Sequence, residues 1–395
     1  MLNRRVWADI DLDAMTRNLN HVRSLAGDGK GIMAIVKANA YGHGAVPVAW
    51  HLAAQGVEAL GVGDSEEAIE LRQAGISIPI VILGSILGGE LPAVIGNDIA
   101  VTVHSAERAR LLEREGRRAS HPVAVHLKVD TGLGRLGCHP SRAREIARLI
   151  HRSEFLRFEG LSTHFAAAGP DDNGFTRRQL VIFEEVSRAI ADAGIPLPPR
   201  HAAASSAILS RIAGHLDVVR PGIALYGIGP TPGLGEGLTP VLSMKTQVIF
   251  LKDHSAGRSI GYAREHVIPR RTRIATLPVG YNDGYPFRLG GKGEVIIRGE
   301  RAPVVGRISM DYMMVDVGPI AGVCSGDEAL LIGGSGAATV TATELAERSG
   351  TIVYEILTGI GKRVGRVYHA QQGGPPRGFR VVRRPAAADE SPLRR

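Results

Sequence analysis

A lysine stands at the end of an apolar run in Ile35-Val-Lys37-Ala-Asn-Ala-Tyr41-Gly-His-Gly44, directly before a glycine-rich loop. In parallel α/β proteins active sites assemble at the C-terminal ends of strands, which is where this amine would sit. Two readings fit: a strand-end lysine reaching solvent, or an amine desolvated so that its pKa falls well below ~10.4 and it can form a Schiff base. A second stretch, Val125-His-Leu-Lys128-Val-Asp130-Thr-Gly-Leu-Gly-Arg135-Leu-Gly137, sets three charged residues among glycines. Gly132-x-Gly134-x-x-Gly137 formally matches a dinucleotide fingerprint, with Glu159 about 20 residues further on. The next helix, however, is expected only after Pro140, too late for Gly137 to lie in a phosphate-binding first turn. A glycine-rich turn with ordinary surface charges is the other reading. His164, in Leu161-Ser-Thr-His164-Phe, is either a buried structural histidine or a proton relay. Gly359-Ile-Gly-Lys362 lacks the full P-loop pattern, and no histidine pair has metal-ligand spacing with a supporting acid, so no metal is expected.

Short apolar segments must position these residues. Residues 32–37, 59–62, 78–83, 124–129, 159–163 and 218–225 read as buried parallel strands. Amphipathic stretches lie between them: Asp64-x-x-Glu67 opens one helix, and Thr176-x-x-Gln179 has a capping-box pattern ahead of Leu180, Phe183, Val186 and Ile190. This alternation predicts a parallel α/β fold, closed barrel or open sheet. After Gly227 the pattern changes. Gly229-Pro-Thr-Pro-Gly233 reads as a linker, and strand-like runs at 246–251, 273–279, 294–297, 313–317 and 328–332, with one helix at 342–348, predict a mainly β second domain.

The chain has 395 residues, 22% charged and 44% hydrophobic, enough for two or three packed units. Its apolar runs fall far short of the ~20 residues of a membrane span, and residues 1–30 lack a secretory h-region, so a cytoplasmic protein is expected. Two cysteines, Cys138 and Cys324, exclude a disulfide framework. Of the net charge of +8, half lies at 375–395, where six arginines face Asp389 and Glu390. That tail is expected to be flexible, and the remaining charges alternate in sign as on solvated helix faces, so nucleic acid is not an expected partner.

Together these segments resemble the alanine racemases, pyridoxal-phosphate (PLP) enzymes of fold type III, from residue 5 to about residue 368, with the motifs in the family's order. The resemblance implies a (β/α)8 TIM-type barrel over 11–229, a mainly β C-terminal domain over 230–372 with which the N-terminal strand (1–10) packs, and a basic tail over 373–395. It makes Lys37 the Schiff-base residue and Tyr41 a phosphate ligand, with Ser205, Gly222, Ile223 and Tyr354 completing the phosphate site. Arg220, in Val219-Arg220-Pro-Gly222, is implied to face the pyridine nitrogen, where a guanidinium with pKa above ~12 keeps the ring unprotonated. Racemisation needs a base on each face of a planar carbanion: Lys37 serves one, and Tyr262, in Ser259-Ile-Gly-Tyr262-Ala-Arg264, matches the other. A tyrosine pKa of ~10 needs help near neutrality, implied to come from His164 and, through it, Arg220.

The same resemblance has Tyr262 contributed by the other subunit of a head-to-tail homodimer with composite sites. Arg135 and the backbone of Met310 match contacts to the substrate carboxylate, Arg135 also contacting the PLP phenolic oxygen. Lys128 matches a position carbamylated in some members, and Tyr281, Arg307, Ile352 and Tyr354 match an entrance corridor. Three departures stand out: Ala204 replaces an asparagine before the phosphate serine, Gly169 a corridor aspartate, and Phe287 an arginine. The implied activity is interconversion of L- and D-alanine, supplying D-alanine for peptidoglycan. The alternatives are a broader serine/alanine racemase on the same scaffold and a non-catalytic PLP-binding protein.

Overall fold

Why the two halves of the chain fold differently is visible in their burial patterns. The computed structural model describes residues 4–169, 174–212, 214–231, 233–371, 379 and 381–383, and it divides into two compact units, one of residues 15–239 and one combining residues 1–14 with 240–395. In the first unit the strands are buried without alternation, as in Ala59–Val62 and Val123–Lys128. Only a sheet covered on both faces tolerates such strands. In the second, strands such as Leu242–Gln247 and Met313–Asp316 alternate buried and half-buried residues, the pattern of a sheet with one face in the core.

Among the described residues of the first unit, eight parallel strands close into a barrel. With β1 assigned to Val6–Asp11 in the other unit, they are β2 (Gly31–Ile35), β3 (Ala59–Val62), β4 (Ile80–Ile82), β5 (Ala100–Val103), β6 (Val123–Lys128), β7 (Leu156–Ser162), β8 (Arg200–Ala204) and β9 (Val218–Arg220). The ring closes where Gly31 and Ile32 pair with Val218 and Val219. The closed barrel is therefore chosen over the open sheet. Helices between the strands start where side chains cap them: Asp64 accepts from the Glu67 amide, and Ser105 from the Arg108 amide. Each turns an apolar stripe inward, as with Ala143, Ile146, Ala147 and Ile150.

Several expectations need correction. Strands β5 and β8 are not among the runs expected from sequence; Arg-His-Ala-Ala-Ala has little intrinsic strand preference, and pairing with β7 and β9 decides its conformation. The strand expected over 218–225 stops at Arg220, because Pro221 offers no N–H, and Ile223–Tyr226 forms a 3-10 turn. Thr176 and Gln179 do not cap a helix: Phe175–Ala191 begins earlier, after Gly174, and both residues are buried inside its first turns.

In the second unit β1 pairs antiparallel with β10 (Leu242–Gln247) and parallel with the strand Gly365–Ala370, so the first strand and a late segment of the chain share a sheet. The run expected over 246–251 splits into β10 and β11 (Phe250–His254). A two-stranded hairpin, β12 (Ser259–Ile260) and β13 (His266–Val267), carries Tyr262 in its turn. Of the tail expected to be flexible, Val381–Arg383 pairs in parallel with the strand Gly365–Ala370; most of the rest lies outside the described residues. Among the described residues no helix is long and apolar enough to cross a membrane.

The barrel interior contains a polar layer that the apolar strands conceal. His126 on β6 and His201 on β8 meet at 2.8 Å, Nδ1 to Nε2, as residues of alternate strands do in a barrel layer. Gly160 on β7 lies in register with His126, and a Cβ there would fall 2.0 Å from His126 Nδ1. The missing side chain makes the contact possible. Burial, then the Arg220 charge, lowers His126 to about 4, so its folded pKa lies below the unfolded one and folding is disfavoured as pH falls below ~6.5. The His126 and His201 rings are expected to stay neutral between pH 5 and 8, read by NMR of histidine-labelled protein as signals that do not titrate. Gly160→Ala should cost about 1–3 kcal/mol by overpacking, seen as a lowered melting temperature.

Candidate active site

The C-terminal ends of the barrel strands gather most of the residues singled out from sequence. Lys37 follows β2 by two residues and opens a turn through Tyr41 that is left-handed: φ is 53° at Ala38, 53° at Asn39, 51° at Ala40 and 51° at Tyr41. Such a conformation costs roughly 1–2 kcal/mol for each non-glycine residue. It is held by the Ala40 N–H donating to Val36 O, the Gly42 N–H to Ala38 O, and the Ala45 N–H to Asn39 Oδ1. The effect is to lift Lys37 to the barrel mouth while Tyr41 turns inward and is buried, its ring 4.8 Å from that of Tyr226. Although the Lys37 side chain is exposed, protein crowds its amine. Desolvation first, then the Arg135 guanidinium, holds its pKa below the usual lysine value, with the Glu67 carboxylate opposing them.

A cradle lies beside it. Ser205 Oγ accepts from the amides of Gly222 at 2.9 Å and Ala224 at 3.2 Å, and Ile223 lies between them in the 3-10 turn after β9. Gly222 is there for space: a Cβ on it would lie 2.6 Å from Tyr41 Oη.

At the end of β9, buried Arg220 donates through Nη1 to His201 Nδ1 at 2.7 Å and through Nη2 to Thr163 O, Ala202 O and His164 Nδ1 at 2.8, 2.8 and 3.1 Å. Arginine has no acceptor, so both imidazole Nδ1 atoms accept and each neutral ring keeps its proton on Nε2. Burial and then Arg220 push His164 down to about 3. Its Nε2–H is a fixed donor.

Lys128 ends β6, where burial and then the charges of Arg220, Arg135 and Lys37 lower it to about 8. Beyond it, the glycine loop is pinned by Asp130, whose Oδ1 accepts from the amides of Gly132 and Gly134. A dinucleotide loop is not formed, and the following helix begins at Pro140. Arg135 rides exposed on this loop. The mouth thus carries Lys37, Lys128, Arg135 and Arg220 against Glu67 and Asp130, a field suited to anionic ligands.

Tyr262, Tyr281, Arg307, Met310, Ile352 and Tyr354 belong to the other unit. There Tyr262 is 71% exposed on its hairpin, and Ile352, Met310 and Tyr281 are also exposed. Arg307 pairs with Glu265, and burial raises the Tyr354 hydroxyl above the ordinary tyrosine value. The Tyr281 loop is held by Asp283, buried and paired bidentately with Arg363, and by the Tyr281 N–H donating to Ser309 O next to Met310.

Sequence reasoning passed over four residues at the barrel mouth and interior. His126 and His201 sit in apolar strands, where a polar residue is itself a signal. Gln179, read as a cap, instead donates from Nε2 to Thr131 Oγ1 and His164 O and accepts from the Ala166 amide, tying the Thr131 and His164 loops together. Glu67 reaches the Lys37 turn.

Two family models match the chain, the alanine racemase N-terminal domain over residues 10–230 and the alanine racemase C-terminal domain over residues 241–368. An alanine racemase of Halothermothrix orenii is 41% identical over 375 residues, covering 94% of this chain and 99% of the relative. The crystal structure of alanine racemase from D-cycloserine-producing Streptomyces lavendulae superposes with a TM-score of 0.88 at 36% identity, covering 93% of this chain and 98% of that one. The crystal structure of alanine racemase from Bartonella henselae with covalently bound pyridoxal phosphate matches with a TM-score of 0.81 at 28% identity, covering 92% and 99%. The chain belongs to the alanine racemase family, isomerases of L- and D-alanine.

Proposed function

We propose that this chain racemises alanine with two bases, Lys37 and Tyr262, around a PLP held at the barrel mouth, and that it works as a cytoplasmic homodimer supplying D-alanine for peptidoglycan. The observation that carries the reading is the Lys37 amine, held below its usual pKa beside a cradle kept open by Gly222. The donor set fits the cofactor: an amine for its aldehyde; Tyr41, Ser205, Tyr354 and the backbone of Gly222 and Ile223 for its phosphate; Arg220 for its ring nitrogen; and Arg135 for its phenolic oxygen. When bound, PLP supplies an electron-accepting ring that acidifies the substrate Cα–H.

The chain's own residues do the rest. Arg135 and the Met310 amide bind the substrate carboxylate, which aligns Cα–H between the two bases. The Lys37 amine, free of a proton over a wider pH range than an ordinary lysine, takes or returns the proton on one face. The partner subunit's Tyr262 serves the other face. His164 donates its Nε2–H to that tyrosine's oxygen and stabilises the phenolate, while Arg220 on Nδ1 keeps the tautomer fixed. The exposure of Tyr262, Tyr281, Met310 and Ile352 on the β unit supports the shared site, since large apolar side chains left exposed are what a partner surface covers. Lys128, at about 8, keeps a free-amine fraction near neutrality, which carbamylation requires; the resulting anion would fix Arg135.

Two outcomes are expected. Supplied with PLP, the protein should show a visible band that Lys37→Ala lacks, and Lys37→Ala and Tyr262→Phe should each lose about 10²–10⁴-fold in racemisation, measured by polarimetry and by Cα deuterium uptake from D₂O for each enantiomer. Full two-way turnover in both variants would overturn the two-base assignment. In ¹³C-bicarbonate, a carbamate resonance should appear in the wild type and be missing in Lys128→Arg.

A further inference from the structure

The left-handed turn after Lys37 is, among the described residues, the longest run of non-glycine residues at positive φ. Its internal hydrogen bonds start at the Ala40 amide, which leaves the first N–H groups of the turn to find acceptors elsewhere, as in any helical turn. The Ala38 N–H, immediately after the lysine, donates to Glu67 Oε1 at 2.5 Å. The other oxygen of the same carboxylate, Oε2, accepts from the Gly63 amide at 2.8 Å. One side chain therefore ties together the ends of β2 and β3, the two strands that frame Lys37. Space is reserved for it: a Cβ on Gly63 would stand 3.2 Å from Glu67 Oε2 and 3.7 Å from Lys37 Cβ. The start of the helix does not explain this placement, because Asp64 already caps it by accepting from the Glu67 amide.

We propose that Glu67 is a positioning residue for Lys37, its carboxylate clamping the Ala38 and Gly63 amides so that the lysine amine stands in line with one face of the substrate Cα. The proposal rests on the reading of Lys37 as one of two bases. The carboxylate also counts electrostatically. Arg135, Lys128 and the neutral His164 face the same amine; after desolvation, Arg135 lowers the lysine pKa and the Glu67 carboxylate opposes it, while Asp130 acts on Lys128. Removing the Glu67 charge lowers the pKa of the lysine nitrogen further.

The test uses the PLP-loaded enzyme with Glu67→Gln, which keeps one acceptor oxygen, and Glu67→Asp, which keeps the charge but is one methylene short. Asp64→Ala weakens the same helix without touching the Lys37 turn. Misplacing the amine should slow only the proton transfer on its face, lowering kcat/KM about ten- to a hundredfold. The Cα-deuterium effect should then rise for the enantiomer whose proton goes to Lys37 and fall for the other. The pH midpoint of the visible band should move acidward in Glu67→Gln. Asp64→Ala should keep wild-type isotope effects even if it melts earlier. Isotope effects and a band midpoint unchanged in Glu67→Gln, or shifted equally in Asp64→Ala, would overturn the proposal while leaving Lys37 as a base. Turnover surviving in Lys37→Ala would overturn the base assignment and this proposal with it.

Discussion

A guanidinium that is buried with no carboxylate partner among the described residues governs the electrostatics of the barrel mouth. Burial lowers Arg220 to about 10, with no acidic group contributing, so it remains a cation at neutral pH. A desolvated charge costs several kcal/mol unless hydrogen bonds replace its hydration. Here two backbone carbonyls and two imidazole nitrogens replace it. Because arginine only donates, those imidazoles must accept, and His201 must in turn present its remaining proton to His126. One charge thereby fixes the tautomers of three histidines. It is also the first charge, after burial itself, that lowers Lys128. An acidic partner at this point would raise the histidine pKa values and release the tautomers. The site depends on that partner being missing.

The second constraint is backbone strain. Four consecutive left-handed residues would not form spontaneously, at roughly 1–2 kcal/mol each, so hydrogen bonds to groups outside the turn must hold them. Asn39 accepts across the loop from the Ala45 amide, and Glu67 reaches from the helix that follows β3. Strain held in this way points the lysine out of the barrel and the following tyrosine into it within a single turn. In an extended strand end of the same length residues 37 and 41, an even spacing apart, would point to the same face and stand roughly 13 Å from each other, so neither the opposed directions nor the short span would be possible.

How much of this could be read from sequence depends on whether the signal was local. Strands buried on both faces announce themselves as apolar runs, and β3 and β6 appear nearly as expected. Strand β8 does not, because Arg-His-Ala-Ala-Ala becomes a strand only through its neighbours. Lys37 is legible as a strand-end lysine before a glycine loop, but the handedness of its turn is not, since Ala-Asn-Ala-Tyr41 contains no glycine to suggest positive φ. Gln179 shows the opposite failure: a pattern fitting a local cap is overridden by long-range bonds to Thr131 and His164. The roles proposed for Arg135, Arg220 and Tyr262 come from resemblance to a family, because no local rule in the sequence assigns them.

The three departures from the family pattern bear unequally on this arrangement. Ala204 loses a carboxamide, yet its backbone still pairs with Arg220 across β8 and β9, and Ser205 Oγ already closes on the Gly222 and Ala224 amides. The cradle is complete without the lost group. Phe287 and Gly169 are different. Phe287 is half-exposed and packs edge-on to Tyr281, with ring centroids 6.2 Å apart, so an aromatic surface stands where a guanidinium would attract a carboxylate. Among the described residues, nothing lies within 4 Å of the position a Cβ would take on Gly169. Pockets reject weakly what merely adds a group in open space, and strongly only what leaves a buried polar group unpaired. Neither change leaves such a group. Under the proposed function their effect therefore falls on which amino acids reach the site and how fast, while Arg220 and the Lys37 turn, to which the proposal gives the proton transfers, are untouched by them.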